Sequence, residues 1–224
     1  HHDVEEIPCV LTCVQPCCTY NGQSYCAPGT YIVEQTNCLT KKLVVIDNAA
    51  PPFADAGPGG VLTCLNTSVT LIGNSSSGPN FTYAWSGPGI SPFNQNLQNI
   101  TVSLPGVYTL VVTNTATGCT ASDNVVVTMD ITPPTVTIPS VPKDCPSADV
   151  TLIANANPSF VQYVWSNNMA GQSITFPVNA TSTYTVTVTN PINGCTNTAT
   201  ATVQVMPPLV TNLPPQTICE GDCV

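Results

Sequence analysis

Residues 106–119 read "GVYTLVVTNTATGC" and residues 182–195 read "STYTVTVTNPINGC". In each stretch every second side chain is aromatic or aliphatic: Tyr108, Leu110 and Val112 in one, Tyr184, Val186 and Val188 in the other. A period of two places these residues on one face of a strand and predicts that this face is buried. The "TNTATG" and "TNPING" that follow are turn chemistry, so each stretch reads as the entry to an antiparallel hairpin that closes on a cysteine.

The similarity extends outward from these hairpins. Upstream stand "VTLIGNSS" (from Val69) and "VTLIANAN" (from Val150), each five residues after a cysteine, Cys64 or Cys145. Next come the aromatic strands "FTYAWSG" with Trp85 and "VQYVWSN" with Trp165. Downstream are the closing strands "NVVVTMD" and "TATVQVM". Pro51-Pro52, Pro133-Pro134 and Pro207-Pro208 mark the boundaries. Short strands with turn signals at this spacing predict an all-β chain of tandem immunoglobulin-like sandwiches, with modules at 51–132 and 133–206. Trp85, Tyr108, Trp165 and Tyr184 are the expected core anchors. Pairing Cys64 with Cys119 and Cys145 with Cys195 would close a loop of about 50 residues in each module, worth about 4 kcal/mol in the chain-entropy model.

Composition supports this class and excludes others. The chain has 224 residues, 42% of them hydrophobic, with 22 Pro but only 3 Lys+Arg and a net charge of −9. Phosphate neutralisation needs Lys and Arg, so nucleic acid and anionic membrane surfaces are not expected partners. No apolar run reaches membrane-spanning length. Any signal peptide is expected to have been removed. Twelve cysteines, an even number, read as disulfides formed in an oxidising, extracellular or cell-surface location. Cys9, Cys13, Cys17 and Cys18 contain no C-x2-C pair, which disfavours zinc. His1 and His2 are the only histidines, so no catalytic triad is expected. Asp47, Asp55 and Asp130 lie near module boundaries, where calcium could sit, but "QVMPPLV" at the third boundary has no acid. Solvated acids and no cofactor are the preferred reading, and the two tryptophans read as core rather than as a carbohydrate platform.

The pattern TLI…Y-x-W-S…Y-T-x-x-V-T-N…G-C-T resembles the tandem Ig-like, PKD-like repeats of Bacteroidota surface proteins and gliding adhesins over residues 51–208. That resemblance implies an exported stalk, adhesin or fibre, often secreted by the type IX route.

The two ends read as complementary fragments. "GTYIVEQTNC" (Gly29 to Cys38) matches the opening hairpin with a shortened turn, with Tyr31 as its anchor, and "KKLVVID" matches a closing strand. With "DVEEI" set against "DVTLI", residues 1–50 read as a module lacking its first strand and that strand's cysteine. In residues 207–224 Cys219 lies five residues before Val224, as Cys64 does before Val69. This segment therefore reads as a donor strand. An intramolecular return would need a sharp bend between modules; insertion into another copy needs none, and a head-to-tail contact propagates as a filament. The expectation is a homopolymer with a Cys38–Cys219 intermolecular disulfide, and with Cys9, Cys13, Cys17, Cys18, Cys26 and Cys223 available for further bonds. The alternative is a stalk fragment of a larger adhesin that does not polymerise; neither reading identifies an adhesion target.

Overall fold

The computed structural model describes residues 3–36, 38–139, 141 and 148–206; all are in strands, turns or loops, with no helix among them. The chain divides into two compact units. One comprises His1–Leu62 with Ser68–Met129, the other Thr63–Thr67 with the chain from Asp130 onward.

The first unit opens with strands β1 (Asp3–Leu11), β2 (Cys18–Tyr20), β3 (Gln23–Tyr25), β4 (Gly29–Gln35) and β5 (Leu39–Asp47). They form a three-stranded sheet, β1-β5-β4, and a β2-β3 hairpin. That hairpin turns at Asn21 and Gly22, both at positive φ, a dipeptide suited to a two-residue turn. β1 runs parallel to β5, with Ile7 beside Leu43 and Cys9 beside Val45. Among the described residues the buried hydrophobic core here is Leu11, Cys18, Leu43 and Val45. Cys9–Cys18 and Cys17–Cys26, each spanning 9 residues, support it. Loops this short contribute about 2–3 kcal/mol each in the chain-entropy model, which matters where so few side chains are buried.

The same unit continues with β6 (Gly60–Thr63), β7 (Val69–Ile72), β8 (Phe81–Ser86), β9 (Asn99–Val102), β10 (Gly106–Asn114) and β11 (Thr120–Asp130). The sheets β6-β11-β10-β8 and β7-β9 close an immunoglobulin-like sandwich. Tyr108, Leu110 and Val112 all point inward, packed with Trp85, Leu71, Ile100, Val125 and Val127. Trp85 uses its indole N–H as well, donating to the Leu97 carbonyl at 3.0 Å. The Tyr108 hydroxyl reaches back to the carbonyl of Leu104, four residues upstream, at 2.7 Å, and to that of Pro88 at 2.9 Å. This is the tyrosine corner of such sandwiches. Tyr31 makes the same four-residue return to the Ala27 carbonyl at 2.9 Å, which identifies β4 as the counterpart of β10.

The second unit carries β12 (Thr135–Thr137), β13 (Ala148–Ile153), β14 (Asn155–Asn157), β15 (Gln162–Trp165), β16 (Ser173–Val178), β17 (Ser182–Thr189) and β18 (Thr196–Val203). β15-β17-β18 faces the pairs β13-β16 and β12-β14 around Trp165, Val186, Val188, Leu152 and Ile174. Tyr184 is only half-buried and packs on Phe176, with ring centroids 4.5 Å apart.

Two expectations are corrected. The N-terminal module does have a first strand: β1 lies beside the closing strand β5, as β6 lies beside β11. "VLTC" at 10–13 repeats "VLTC" at 61–64, so "DVEEI" belongs to the first strand and not to the second. What the module lacks, among the described residues, is a neighbour on the outer edge of β4, the place β8 takes beside β10 and β15 beside β17.

Candidate functional site

The candidate site is a recurrent joint at the ends of the sandwiches, together with the open edge of β4. Each joint starts from the turn of a closing hairpin. After β10 the Gly118 N–H donates to the Asn114 carbonyl at 2.7 Å and the Asn114 N–H to the Cys119 carbonyl at 2.9 Å; after β17 Gly194 and Asn190 repeat both bonds, at 2.8 Å to the Asn190 carbonyl and 2.9 Å to that of Cys195. Asn114 and Asn190 side chains each cap a turn N–H at 3.0 Å, those of Ala116 and Ile192. Gly118 and Gly194 lie at φ of 69° and 70°, the left-handed region that disfavours other residues.

The turn presents its cysteine inward. Cys119 is 0% exposed and Cys195 1%. Cys119 is bonded to Cys13, two residues beyond β1, with a Cα–Cα distance of 4.9 Å. Cys195 is bonded to Cys64, directly after β6, at 5.0 Å. The residue after each first-strand cysteine then rests on the turn glycine. A Cβ on Gly118 would overlap Val14 Cγ1, and one on Gly194 would lie 2.7 Å from Leu65 Cβ. One backbone bond accompanies each contact: the Cys13 N–H donates to the Thr117 carbonyl at 3.1 Å, and the Leu65 N–H to the Asn193 carbonyl at 3.3 Å. In the second unit the buried Asn193 amide also donates to Asp130 Oδ1 at 3.1 Å and to the Thr132 carbonyl at 3.0 Å.

The pairing Cys64–Cys119 expected within a module is thereby overturned, and Cys195, bonded to Cys64, is not held by Cys145. The reason lies in strand direction. In the first module β1 runs parallel to β5 from Asp3 beside Leu39 to Leu11 beside Asp47. The end of the first strand and the turn before the closing strand therefore lie at opposite ends of the sheet, roughly 25 Å apart at about 3.3 Å per residue. Gly59 abuts Val126 in the same way, and the segment from Thr63 clusters with residues from Asp130 onward, beyond the far end of β11 from Cys119. The cysteine just past the end of a first strand therefore meets the turn of the module that follows, as Cys13 meets Cys119 and Cys64 meets Cys195.

Among the described residues Cys38 is a free, exposed thiol. It occupies the turn before β5, the counterpart of the turns that hold Cys119 and Cys195, but this turn is shorter and closes with the Thr36 N–H on the Leu39 carbonyl at 2.8 Å. Cys9, Cys13, Cys17, Cys18 and Cys26 are all bonded. Cys145, Cys219 and Cys223 lie outside the described residues. Nearby, Lys41 pairs with Glu34 at 3.2 Å and Glu5 at 4.0 Å, and the Glu34 contact raises the lysine pKa. The Tyr20 hydroxyl donates to the same Glu34 carboxylate at 3.5 Å, and Tyr25 packs on Tyr31 with centroids 4.8 Å apart. The β2-β3 hairpin is thus held over the face of β4, while among the described residues the outer edge of β4 has no strand beside it.

The boundary acids serve local turns. Asp47 accepts from the Ala49 N–H, Asp55 from Gly57 and Asp130 from Thr132. The described residues contain no group of three or more His, Cys, Asp or Glu placed to hold a metal ion.

No protein-family profile and no curated protein sequence matches the chain. Among solved structures it is similar to the three N-terminal domains of the Highly Immunogenic Outer Capsid protein of bacteriophage RB49, at 20% identity over 69% of this chain and 59% of that one, with a TM-score of 0.39. It is also similar to an I-band fragment of titin, at 15% identity over 70% and 66% with a TM-score of 0.39. A third similar structure is of Dscam, at 17% identity over 75% and 50% with a TM-score of 0.28. The chain spans between half and two thirds of the length of these structures.

Proposed function

We propose that the chain is a structural subunit of an extracellular filament in which identical copies join head to tail. Residues 207–224 of one copy add a strand to the outer edge of β4 in the next. The observation that carries this reading is the β4 edge. Among the described residues β10 and β17 each have a strand on both sides, whereas β4 has only β5. An unpaired edge offers a row of N–H and C=O groups to an incoming strand. The donated strand takes the place beside β4, because the first-strand place is filled by β1. The four disulfides among the described residues support an oxidising, extracellular setting.

The full chain should form filaments in negative-stain electron microscopy, and a chain ending at Met206 should remain monomeric. A synthetic peptide of residues 207–224, added to the truncated chain, should slow hydrogen exchange across Gly29–Gln35. Filaments from the truncated chain, or exchange in β4 that ignores the peptide, would overturn the reading.

A further inference from the structure

Three cysteines close the turn before a closing strand: Cys38, Cys119 and Cys195. Two of them are bonded, each to the cysteine that follows the first strand of the preceding module. The two joints share their parts: a left-handed turn glycine, an aliphatic residue resting on it, one backbone hydrogen bond, and a buried sulfur. Cys38 stands in the corresponding turn of the N-terminal module, a shorter one closed by the Thr36 N–H on the Leu39 carbonyl at 2.8 Å, and among the described residues its thiol is free and exposed. In sequence Asn37 precedes it, where the other two turns have glycine.

From this repeated geometry we infer that Cys38 is the acceptor half of an intermolecular joint, bonded to Cys145 of a second copy. The first-strand cysteines form the series Cys13, Cys64 and Cys145, the last standing five residues before Val150 as Cys64 stands before Val69. Cys13 and Cys64 each bond forward, to Cys119 and Cys195, so the unassigned forward bond in this series belongs to Cys145. Cys219 is a poorer partner on the same rule. A strand donated to the next copy's first module would bring Cys219 into that module, whereas both observed joints reach the turn from the module before. The inference rests on the head-to-tail assembly proposed above and names its covalent lock.

Forming the bond removes one hydrogen from each thiol. The two electrons and two protons pass by thiol–disulfide exchange to an external disulfide oxidant, which leaves as two thiols.

The test uses the full chain, mixed as ¹⁴N- and ¹⁵N-labelled protein, assembled with oxidised glutathione, alkylated and digested without reduction. Mass spectrometry should find Cys38–Cys145 linked peptides with hybrid isotope masses. Non-reducing electrophoresis should show a ladder that Cys38→Ser and Cys145→Ser abolish and Cys219→Ser leaves intact, while microscopy still shows filaments of the Cys38→Ser chain. Alkylated Cys38 in filaments, or Cys38 linked to Cys219 or Cys223, overturns the lock but leaves the assembly standing. Absence of filaments from the full chain, with or without reductant, overturns both.

Discussion

The two turn glycines look interchangeable, yet they should respond differently to a single methyl group. Gly118→Ala and Gly194→Ala both place a side chain at a φ near 70°, which costs about 1–2 kcal/mol for an L-residue. Each also meets an obstacle, and the obstacles differ in kind. At Gly118 the new Cβ runs into the γ-methyls and then the Cβ of Val14, all side-chain atoms. At Gly194 it meets Leu65 Cβ at 2.7 Å, then the Leu65 N at 3.3 Å and Cα at 3.4 Å. Overpacking of this kind costs a further ~1–3 kcal/mol. Val14→Ala removes the offending methyls and should return about 1–2 kcal/mol to Gly118→Ala, a coupling readily seen in a double-mutant cycle. Leu65→Ala keeps its Cβ and backbone, so it should return almost nothing to Gly194→Ala. The chain has two units, so a single unfolding midpoint is the wrong measure. Peptide-level hydrogen exchange across β10–β11 and across β17–β18 reads each joint separately. Equal rescue at both joints, or none at Gly118, would refute the claim that these contacts set the joint.

Tyr31→Phe should lower the stability of the N-terminal sheet by about 1 kcal/mol through loss of the bond to Ala27, seen as faster exchange in β4. Asn193→Ala should destabilise the second unit by about 1–3 kcal/mol, because the Thr132 carbonyl loses the amide donor, Asp130 keeps only the Thr132 N–H, and the buried Cys195 N–H loses its acceptor; unchanged exchange across 130–137 would contradict this. Burial raises the pKa of the Tyr108 hydroxyl above its ordinary value. The unfolded tyrosine loses its proton first, near pH 10, so the stabilisation is complete below that and declines as pH rises through it. Alkaline titration followed by exchange in β10 should show this loss, and Tyr108→Phe should flatten it. Partial reduction should release Cys9–Cys18 and Cys17–Cys26 independently of the two joints; obligatory co-release, read by differential alkylation, would refute their separation.

The sandwiches were legible because period-two runs such as Tyr108–Leu110–Val112 and the paired tryptophans register burial directly in residue type. The N-terminal module was less so. Its β2-β3 hairpin is signalled by Asn21-Gly22, and its first strand by the second copy of "VLTC", but "DVEEI" also resembles "DVTLI" and that match shifted the register. Strand polarity was the larger gap. Cysteine spacing places Cys64 and Cys119 in one module, but only the parallel pairing of first and closing strands sets them at opposite ends. That Cys38 has no partner among the described residues follows from the same geometry, although its lack of a partner within the N-terminal module could be read from spacing alone.

The staggered bonds also determine what happens when the chain is pulled. Between Cys13 and Cys195 an uncrosslinked polypeptide could be drawn out to roughly 600 Å. With Cys64–Cys195 intact, tension passes from Cys13 to Cys64 through about 50 residues and then crosses directly to Cys195, a limit near 170 Å. Cys13–Cys119 opens a second path, from Cys119 back to Cys64, which shares the force. The segment from Cys119 to Cys195, which carries β12 to β17, is a third and longer connection between the same two bonds and stays slack at that limit. The reach available between Cys13 and Cys195 is therefore set by redox state: short when oxidised, several-fold longer once a reductant opens both bonds.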